Sequence, residues 1–255
     1  MENLPDFNDF INLTPDNIDK EHLSCLIRIR KPHPGVEAKR QWLSERLKEG
    51  HVFRKLNAKD AVFIEYAPLE TAWVPINGDN YFYIYCLWAN SPYKGKGYGK
   101  AMMEYCIADA KAKGKSGICM LGAVKQKAWL TDQSFAKRFG FEVVDTIDNG
   151  YELLALSFDG TKPKFAENAK KEKIERNDLT IYYDMQCPYI LQHIESVKEY
   201  CETNDVPVSL IIVGSLLKAM ELPCVFNNYA VFYKGSFQTV NILLDLNALK
   251  RILKK

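Results

Sequence analysis

One junction restricts the fold of this chain more than any other feature. The run Tyr81 to Trp88 is dense in aromatic residues and reads as a strand. A few residues later comes Lys94-Gly95-Lys96-Gly97-Tyr98-Gly99-Lys100. Met102, Met103, Cys106, Ile107 and Ala110 then follow at helical spacing. A strand therefore turns through glycines directly into a helix. The first turn of a helix leaves backbone amides unpaired and carries partial positive charge. Glycines let that backbone take positive φ and approach a ligand closely. The local physics is that of a phosphate cradle. A Walker A pattern, GxxxxGK[ST], is absent, and glycines at 95, 97 and 99 do not make the GxGxxG of a dinucleotide fold. The competing reading is a strand–helix turn that binds nothing.

The elements around this junction are mixed α and β. Phe10 to Leu13 reads as a strand, and Thr14-Pro15 as an N-cap with proline at the first helical position. That cap predicts a helix through Ile18, Leu23 and Leu26. A second helix is predicted from Val36 to Glu49, with Trp42, Leu43 and Leu47 on one face, closed by Gly50. Strands are predicted at His51–Phe53, Ala61–Tyr66, Gly117–Leu121, Phe141–Val144 and Tyr151–Phe158, with a short helix at Phe135–Phe139 stopped by Gly140. Gly160 to Asp178 is polar and mixed in sign, and reads as a linker or one solvated helix over 161–178. It separates a first domain, residues 1–160, from a second, residues 179–255.

Composition excludes several classes. With 34 Lys+Arg against 32 Asp+Glu the net charge is +2, which gives no basis for a nucleic-acid or membrane-surface partner. No apolar run is long enough to span a bilayer. The stretch Met1 to Phe10 is acidic and lacks a secretory n-region. The seven cysteines show no CxxC pair and no zinc spacing, so they read as reduced cysteines of a cytoplasmic protein with no metal site.

The glycine segment resembles the Q/R-x-x-G-x-G/A pyrophosphate motif of the GNAT acetyltransferase superfamily, with Lys94 in the Q/R place and Gly97 and Gly99 as its glycines. Lys137-Arg138-Phe139-Gly140-Phe141 resembles the short helix and GF turn that follow in that family, and the order of elements over residues 8–158 is similar. The resemblance implies a GNAT fold with a mixed central sheet. It implies acetyl-CoA as co-substrate, its pyrophosphate on the amides of Lys94, Gly95, Lys96, Gly97, Tyr98, Gly99 and Lys100, and its pantetheine arm along Leu87, Trp88 and Ala89. Two positions depart from the family pattern: Ala136 stands where a tyrosine general acid is common, and Trp129 where an asparagine is common. The glutamate base of some members falls near Tyr83. A tyrosine of ordinary pKa, ~10, is a poor base at neutral pH. Tyr83 and Tyr85 are therefore candidates for passing a proton through water, as is Glu65. Trp73, Tyr81, Tyr83, Tyr85, Trp88 and Trp129 read either as sheet packing or as an aromatic wall for a flat or cationic amine.

The second domain orders β-α-β-α-β-β-α. Its strands are expected at Leu179–Asp184, Val206–Val213, Ala230–Tyr233 and Phe237–Val240, with helices through Ile194, Val197 and Tyr200 and through Leu246 to Leu253. It resembles a glutaredoxin or thioredoxin fold, and Cys187-Pro188-Tyr189-Ile190 resembles a CPYC site with Ile190 in place of the second cysteine. Cys187 then lies at a helix N-terminus, where the dipole favours thiolate, and is a redox candidate. Asn228 stands where that fold carries a cis-proline, and Pro223-Cys224 lies nearby in sequence. The pairing of the two domains resembles the YoaP-like acetyltransferases of bacteria. The expected activity is direct transfer of acetyl from acetyl-CoA to a small-molecule or peptide amine, with a homodimer left open. The alternatives are an acyl-CoA-binding redox or metal sensor, and a thiol–disulfide enzyme.

Overall fold

A computed structural model describes residues 9–25, 33–58, 61–241 and 246–254. The chain divides into two compact units. One comprises Met1–Lys31, Arg40–Ala72 and Asn77–Lys164; the other comprises Pro32–Lys39, Trp73–Ile76 and Phe165–Lys255.

The first unit is built on a seven-stranded mixed sheet. Its strands are β1 (Phe10–Asn12), β2 (Val52–Leu56), β3 (Val62–Pro68), β4 (Tyr81–Ala89), β5 (Gly117–Ala123), β6 (Glu142–Thr146) and β7 (Tyr151–Ser157), in the order β1-β2-β3-β4-β5-β7-β6. All neighbours are antiparallel except β4 and β5, which are parallel. Helix α2 (Tyr98–Ala112) makes that parallel crossover, as such a connection requires. Its buried face, Met102, Met103, Cys106 and Ala110, packs on Val62, Ile64, Tyr66, Phe82, Ile84, Ile118, Met120 and Leu154. Tyr66, wholly buried, donates from its hydroxyl to Asp109 of this helix at 2.7 Å. Helix α3 (Gln133–Lys137) is capped by the Asp132 carboxylate, which accepts from the amides of Ser134 and Phe135.

Several expectations need correction. The strands extend beyond the predicted limits at β2, β4 and β5. Thr14 to Cys25 forms turns rather than a helix, and Leu26 lies outside the described residues. Asn17 explains part of this, since its side chain accepts from the Thr14 amide and donates to the Asn12 carbonyl, binding the segment into a local turn. Helix α1 (Pro34–Leu47) begins slightly before the predicted start and ends before the predicted Glu49, followed by a turn that closes on Gly50 at φ 89°. The expected solvated linker is not solvated along its length. It holds a two-residue strand, Lys164–Phe165, and a 3₁₀ turn, Glu167–Lys170, and it buries Phe165, Ala166 and Ala169.

In the second unit the predicted order β-α-β-α-β-β-α is the observed one. It runs β8 (Leu179–Tyr183), α4 (Tyr189–Thr203), β9 (Val208–Ile212), α5 (Leu216–Met220), β10 (Tyr229–Tyr233), β11 (Ser236–Thr239) and α6 (Leu246–Leu253). The sheet order is β9-β8-β10-β11, with β8 and β9 parallel and the other pairs antiparallel. The β10–β11 hairpin turns on Lys234 and Gly235, both at positive φ, the geometry a two-residue hairpin needs. Helices α4 and α6 pack through Ile190, Ile194, Val197, Leu249 and Ile252 onto Leu179, Ile181, Tyr229 and Val231.

One buried contact in this unit makes its stability depend on pH. His193 Nε2 lies 2.9 Å from the Tyr229 hydroxyl. Burial pushes the Tyr229 phenol up, so the hydroxyl keeps its proton and donates to a neutral imidazole. The same burial lowers His193 to about 4, whereas a histidine in an unfolded chain titrates near ~6.5. Between those values the unfolded chain binds the extra proton, so stability falls as pH drops through the window. His193→Gln should remove that part of the slope in urea unfolding followed from about pH 6.5 to about pH 4. A variant with the wild-type slope would contradict the assignment.

Candidate functional site

The site begins with a change of pairing in strand β4. On one side β4 pairs with β3 along its length, but the register shifts between Glu65 and Tyr66: Glu65 faces Cys86 and Tyr66 faces Ile84. Tyr85 is the extra residue of a β-bulge. The bulge shifts the alternation by one, so that Phe82 and Ile84, and then Leu87 and Ala89, all turn to the α2 side of the sheet. On the other side the parallel ladder with β5 runs from Tyr81↔Gly117 to Ile84↔Met120 and stops. Both strands continue, β4 to Ala89 and β5 to Ala123, with no ladder between them among the described residues. The strands open into a cleft whose edges are Leu87-Trp88-Ala89 and Leu121-Gly122-Ala123. Along these edges no backbone ladder forms; on the β5 side the Ala123 amide donates to the Gln133 side chain at 3.0 Å.

Tyr83 secures the apex of this opening. It is wholly buried, and the amide of Leu121, the first residue beyond the last ladder pair, hydrogen-bonds to its hydroxyl. Burial pushes the phenol well above its ordinary value. That disfavours phenolate and suits a neutral hydroxyl that holds β5 in place.

The glycine loop stands at the mouth of the cleft. The Asn90 side chain accepts from the Ser91 amide and caps the 3₁₀ turn Ser91–Tyr93. The Tyr93 and Tyr98 rings then meet edge to face at 4.9 Å. Gly95 and Gly97 lie at φ 81° and 85°, and Gly97 is the N-cap of α2. The first intrahelical bond is Ala101 N–H to the Gly97 carbonyl, which leaves the amides of Tyr98, Gly99 and Lys100 directed out of the helix end. Lys94, Lys96 and Lys100 are exposed around them. A left-handed N-cap, outward amides and three exposed lysines are the features that suit a multiply charged phosphate.

The aromatic residues do not form a single wall. The Tyr81 hydroxyl donates to the Thr161 carbonyl at 2.5 Å, at the closed end of β4, and Trp73 belongs to the other unit. Trp88 lies on the cleft edge, and Trp129 lies in the loop after β5 with the Lys127 ammonium 5.9 Å from its ring. Tyr83 and Tyr85 meet at 5.0 Å. Tyr85 in turn stacks on His51 at 5.3 Å and 28°, and Trp42 stands edge-on to both. His51 Nε2 lies 3.1 Å from Glu65 Oε1, with side chains 2% and 0% exposed. Sequence reading took His51 only as the start of a strand. The available signal was Glu65, a lone charge inside the apolar run Val62-Phe63-Ile64-Glu65-Tyr66.

In the second unit Cys187 is half-buried just before α4, and its carbonyl accepts from the Ile190 amide. Asp184 accepts from the Gln186 amide, and Asn228 donates to the Gln186 side chain at 2.7 Å, all three residues being buried. Cys224 is fully buried, its thiol pushed well up by burial, and no disulfide joins it to Cys187. Among the described residues no group of three or more His, Cys, Asp or Glu side chains is placed to hold a metal ion, and no helix is long and apolar enough to cross a membrane.

The sequence profile of the acetyltransferase (GNAT) family matches residues 17–141, and that of the YoaP-like family matches residues 207–251. The uncharacterized N-acetyltransferase YoaP of Bacillus subtilis (strain 168) is 35% identical over 246 residues, covering 96% of this chain and 98% of that protein. Solved structures with a similar fold include a GNAT acetyltransferase from Desulfovibrio desulfuricans (14% identity, 58% of this chain and 97% of that chain, TM-score 0.44). Another is a GNAT acetyltransferase from Brucella melitensis in complex with acetyl-CoA (15% identity, 61% and 91%, TM-score 0.41). The chain belongs to the GNAT acetyltransferase family and carries a YoaP-like segment in its second unit.

Tyr83→Phe tests the apex of the cleft. It leaves the Leu121 amide without its oxygen partner in a buried setting, which should cost about 1–3 kcal/mol. Urea unfolding measures this, and a cost near zero would show that the hydroxyl does not hold β5.

Proposed function

We propose that this protein transfers an acetyl group from acetyl-CoA to an amine by direct attack of the amine on the thioester. The observation that carries the reading is the opening of β4 from β5 beside a left-handed glycine N-cap. In this reading the amides of Gly97, Tyr98, Gly99 and Lys100 hold the pyrophosphate, with Lys94 and Lys96 flanking it and Gly95 allowing the turn. The edge of Leu87, Trp88 and Ala89 pairs with the pantetheine amides as a further strand would. Bound there, the co-substrate supplies an activated acetyl thioester. The chain holds the thioester at the bulge, where Tyr85 interrupts the ladder, and the neutral Tyr83 hydroxyl keeps the apex open. Alignment of amine and thioester provides much of the rate. Ala136 lies buried on α3 and cannot donate a proton to the departing thiolate.

The second unit reads as a thioredoxin-like module. Its sheet order and its helix following Cys187 support that reading. With Ile190 fully buried in place of a second cysteine, the module acts as a binding or thiol-presenting partner to the transferase rather than as a dithiol reductase. Alkylation with iodoacetamide under native conditions should modify half-buried Cys187 before buried Cys106, Cys119 and Cys224. Equal rates for all four would count against an accessible thiol.

Calorimetric titration with CoA tests the donor site. Gly97→Val forces a β-branched residue into left-handed φ and tilts the first-turn amides, so CoA affinity should fall about tenfold or more. Unchanged affinity would remove the glycine loop from the donor site. Release of free thiol from acetyl-CoA across a panel of alkylamines, polyamines and peptide N-termini then reads the acceptor.

A further inference from the structure

The two large sheets end in four edge strands, and three of them are blunted. Strand β1 is only three residues long. Strand β6 carries Glu142 and Asp145, and its pairing with β7 is broken by a register shift between Val143 and Asp145. Strand β11 is covered: Ser236 bridges to Lys173, and the Phe237 amide donates to the Glu172 carbonyl. Shortness, charge, irregularity and cover are the usual defences of a sheet edge. Strand β9 has none of them. It reads Val208-Ser209-Leu210-Ile211-Ile212, without charge, proline or bulge. Just beyond its ends the Pro207 carbonyl accepts from the Leu179 amide, and the Val213 amide donates to the Tyr183 carbonyl. Alternate residues of a parallel ladder bond to opposite sides. Ser209 and Ile211 therefore bond to β8, while the N–H and C=O of Val208, Leu210 and Ile212 point off the sheet, where no described residue bonds to them. Ile212 is 49% exposed, and Leu217 of α5, just after it, 67%. Asp205 before β9 and Lys218 on α5 after it are both exposed, and neither has an ion pair among the described residues.

We propose that β9 is the pairing edge for a second copy of this chain, which joins the two four-stranded sheets antiparallel across a two-fold axis at Leu210. On that axis Leu210 exchanges both backbone bonds with the partner's Leu210, and Val208 does the same with the partner's Ile212, so each outward N–H meets a C=O. The edge is complementary to itself. Its outward residues are all apolar and lie symmetrically about Leu210, as an isologous interface requires. Charge agrees with the antiparallel direction. Asp205 of each copy comes to the Ile212 end of the other, where Lys218 stands, and the Leu217 end of each covers the Val208 end of the other. A parallel pairing would instead set Asp205 against Asp205. A strand from an unrelated protein could supply the backbone bonds, but not this exchange of opposite ends. Cys187 follows β8, which runs parallel to β9, so the two thiols lie at opposite ends of the joined sheet and the pair needs no disulfide.

Sedimentation velocity of the full chain under reducing conditions, from micromolar to millimolar concentration, should show a reversible doubling of mass. Amide hydrogen exchange over the same range should slow at Val208, Leu210 and Ile212 as concentration rises, and stay constant at Ser209 and Ile211, which are already bonded to β8. Ile212→Lys places a charge on the edge at an exposed position and should raise the dimer Kd about tenfold or more. Lys218→Asp should weaken the pair at low salt, and Asp205→Lys added to it should restore the affinity. A chain that stays monomeric up to millimolar concentration would overturn the proposal. So would a dimer that reduction dissociates, or one that leaves exchange at Val208, Leu210 and Ile212 unchanged, since its interface would lie elsewhere. Slow exchange at those three amides at every concentration also overturns it, because the edge would then be covered from within one chain. The wild-type measurements decide the matter even where a variant does not fold.

Discussion

The structure of the first unit depends on one inserted residue. Tyr85 breaks the β3–β4 register, and the consequences reach both faces of the sheet. On the α2 side it brings Leu87 and Ala89 into the core already begun by Phe82 and Ile84, so β4 can continue to the glycine loop with its apolar side still buried. On the opposite side it presses its own ring onto His51 and brings Glu65 level with Cys86. Between these faces the β4–β5 ladder ends at Ile84 and Met120. Open strand edges are usually a liability that proteins cover or charge. Here two edges are left without a common ladder in the middle of a sheet, and the Leu121 and Ala123 amides of one are taken up by the Tyr83 and Gln133 side chains.

The glycine loop gains its meaning from this opening. A helix N-terminus by itself attracts any anion weakly. Gly97 in the left-handed region turns the first amides of α2 outward, and the Asn90 cap and the Tyr93–Tyr98 contact fix the approach. The loop and the open strand edge are thus fixed relative to one another by local contacts within one segment of chain. The departures from the family pattern fall on the proton-handling side: Ala136 supplies no acid, and the buried Tyr83 is a hinge pin rather than a base.

The two units divide their polar content differently. In the first, buried polarity is spread over β2 and β3, with Arg54 paired to Asn12, Lys55 to Glu21 and His51 to Glu65. In the second, it gathers around Cys187 and at His193, where a neutral imidazole and a protonated phenol satisfy one another inside an apolar core. Such pairs are stable only in one protonation state, which ties the second unit's stability to pH even though its net charge is modest.

Much of this was legible in the residues. The strand–glycine–helix junction, the α2 apolar stripe, the hairpin at Lys234-Gly235 and the β-α-β-α-β-β-α order all follow from local periodicity and turn chemistry, which short-range sterics fix. The helix expected through Ile18 and Leu23 failed because Asn17 satisfies the local backbone with its own side chain, a competition that an apolar pattern does not reveal. The linker failed as a solvated segment because Phe165 and Ala169 find buried positions that composition alone could not assign. The bulge and the His51–Glu65 pair were not legible, since a one-residue slip in pairing and a contact across two strands are long-range events. The sequence by itself thus determined most of the strands and helices and the glycine turn that opens α2. Only the tertiary structure decided where the sheet opens and which buried groups meet beneath it, because both depend on register between strands that the chain brings together from far apart.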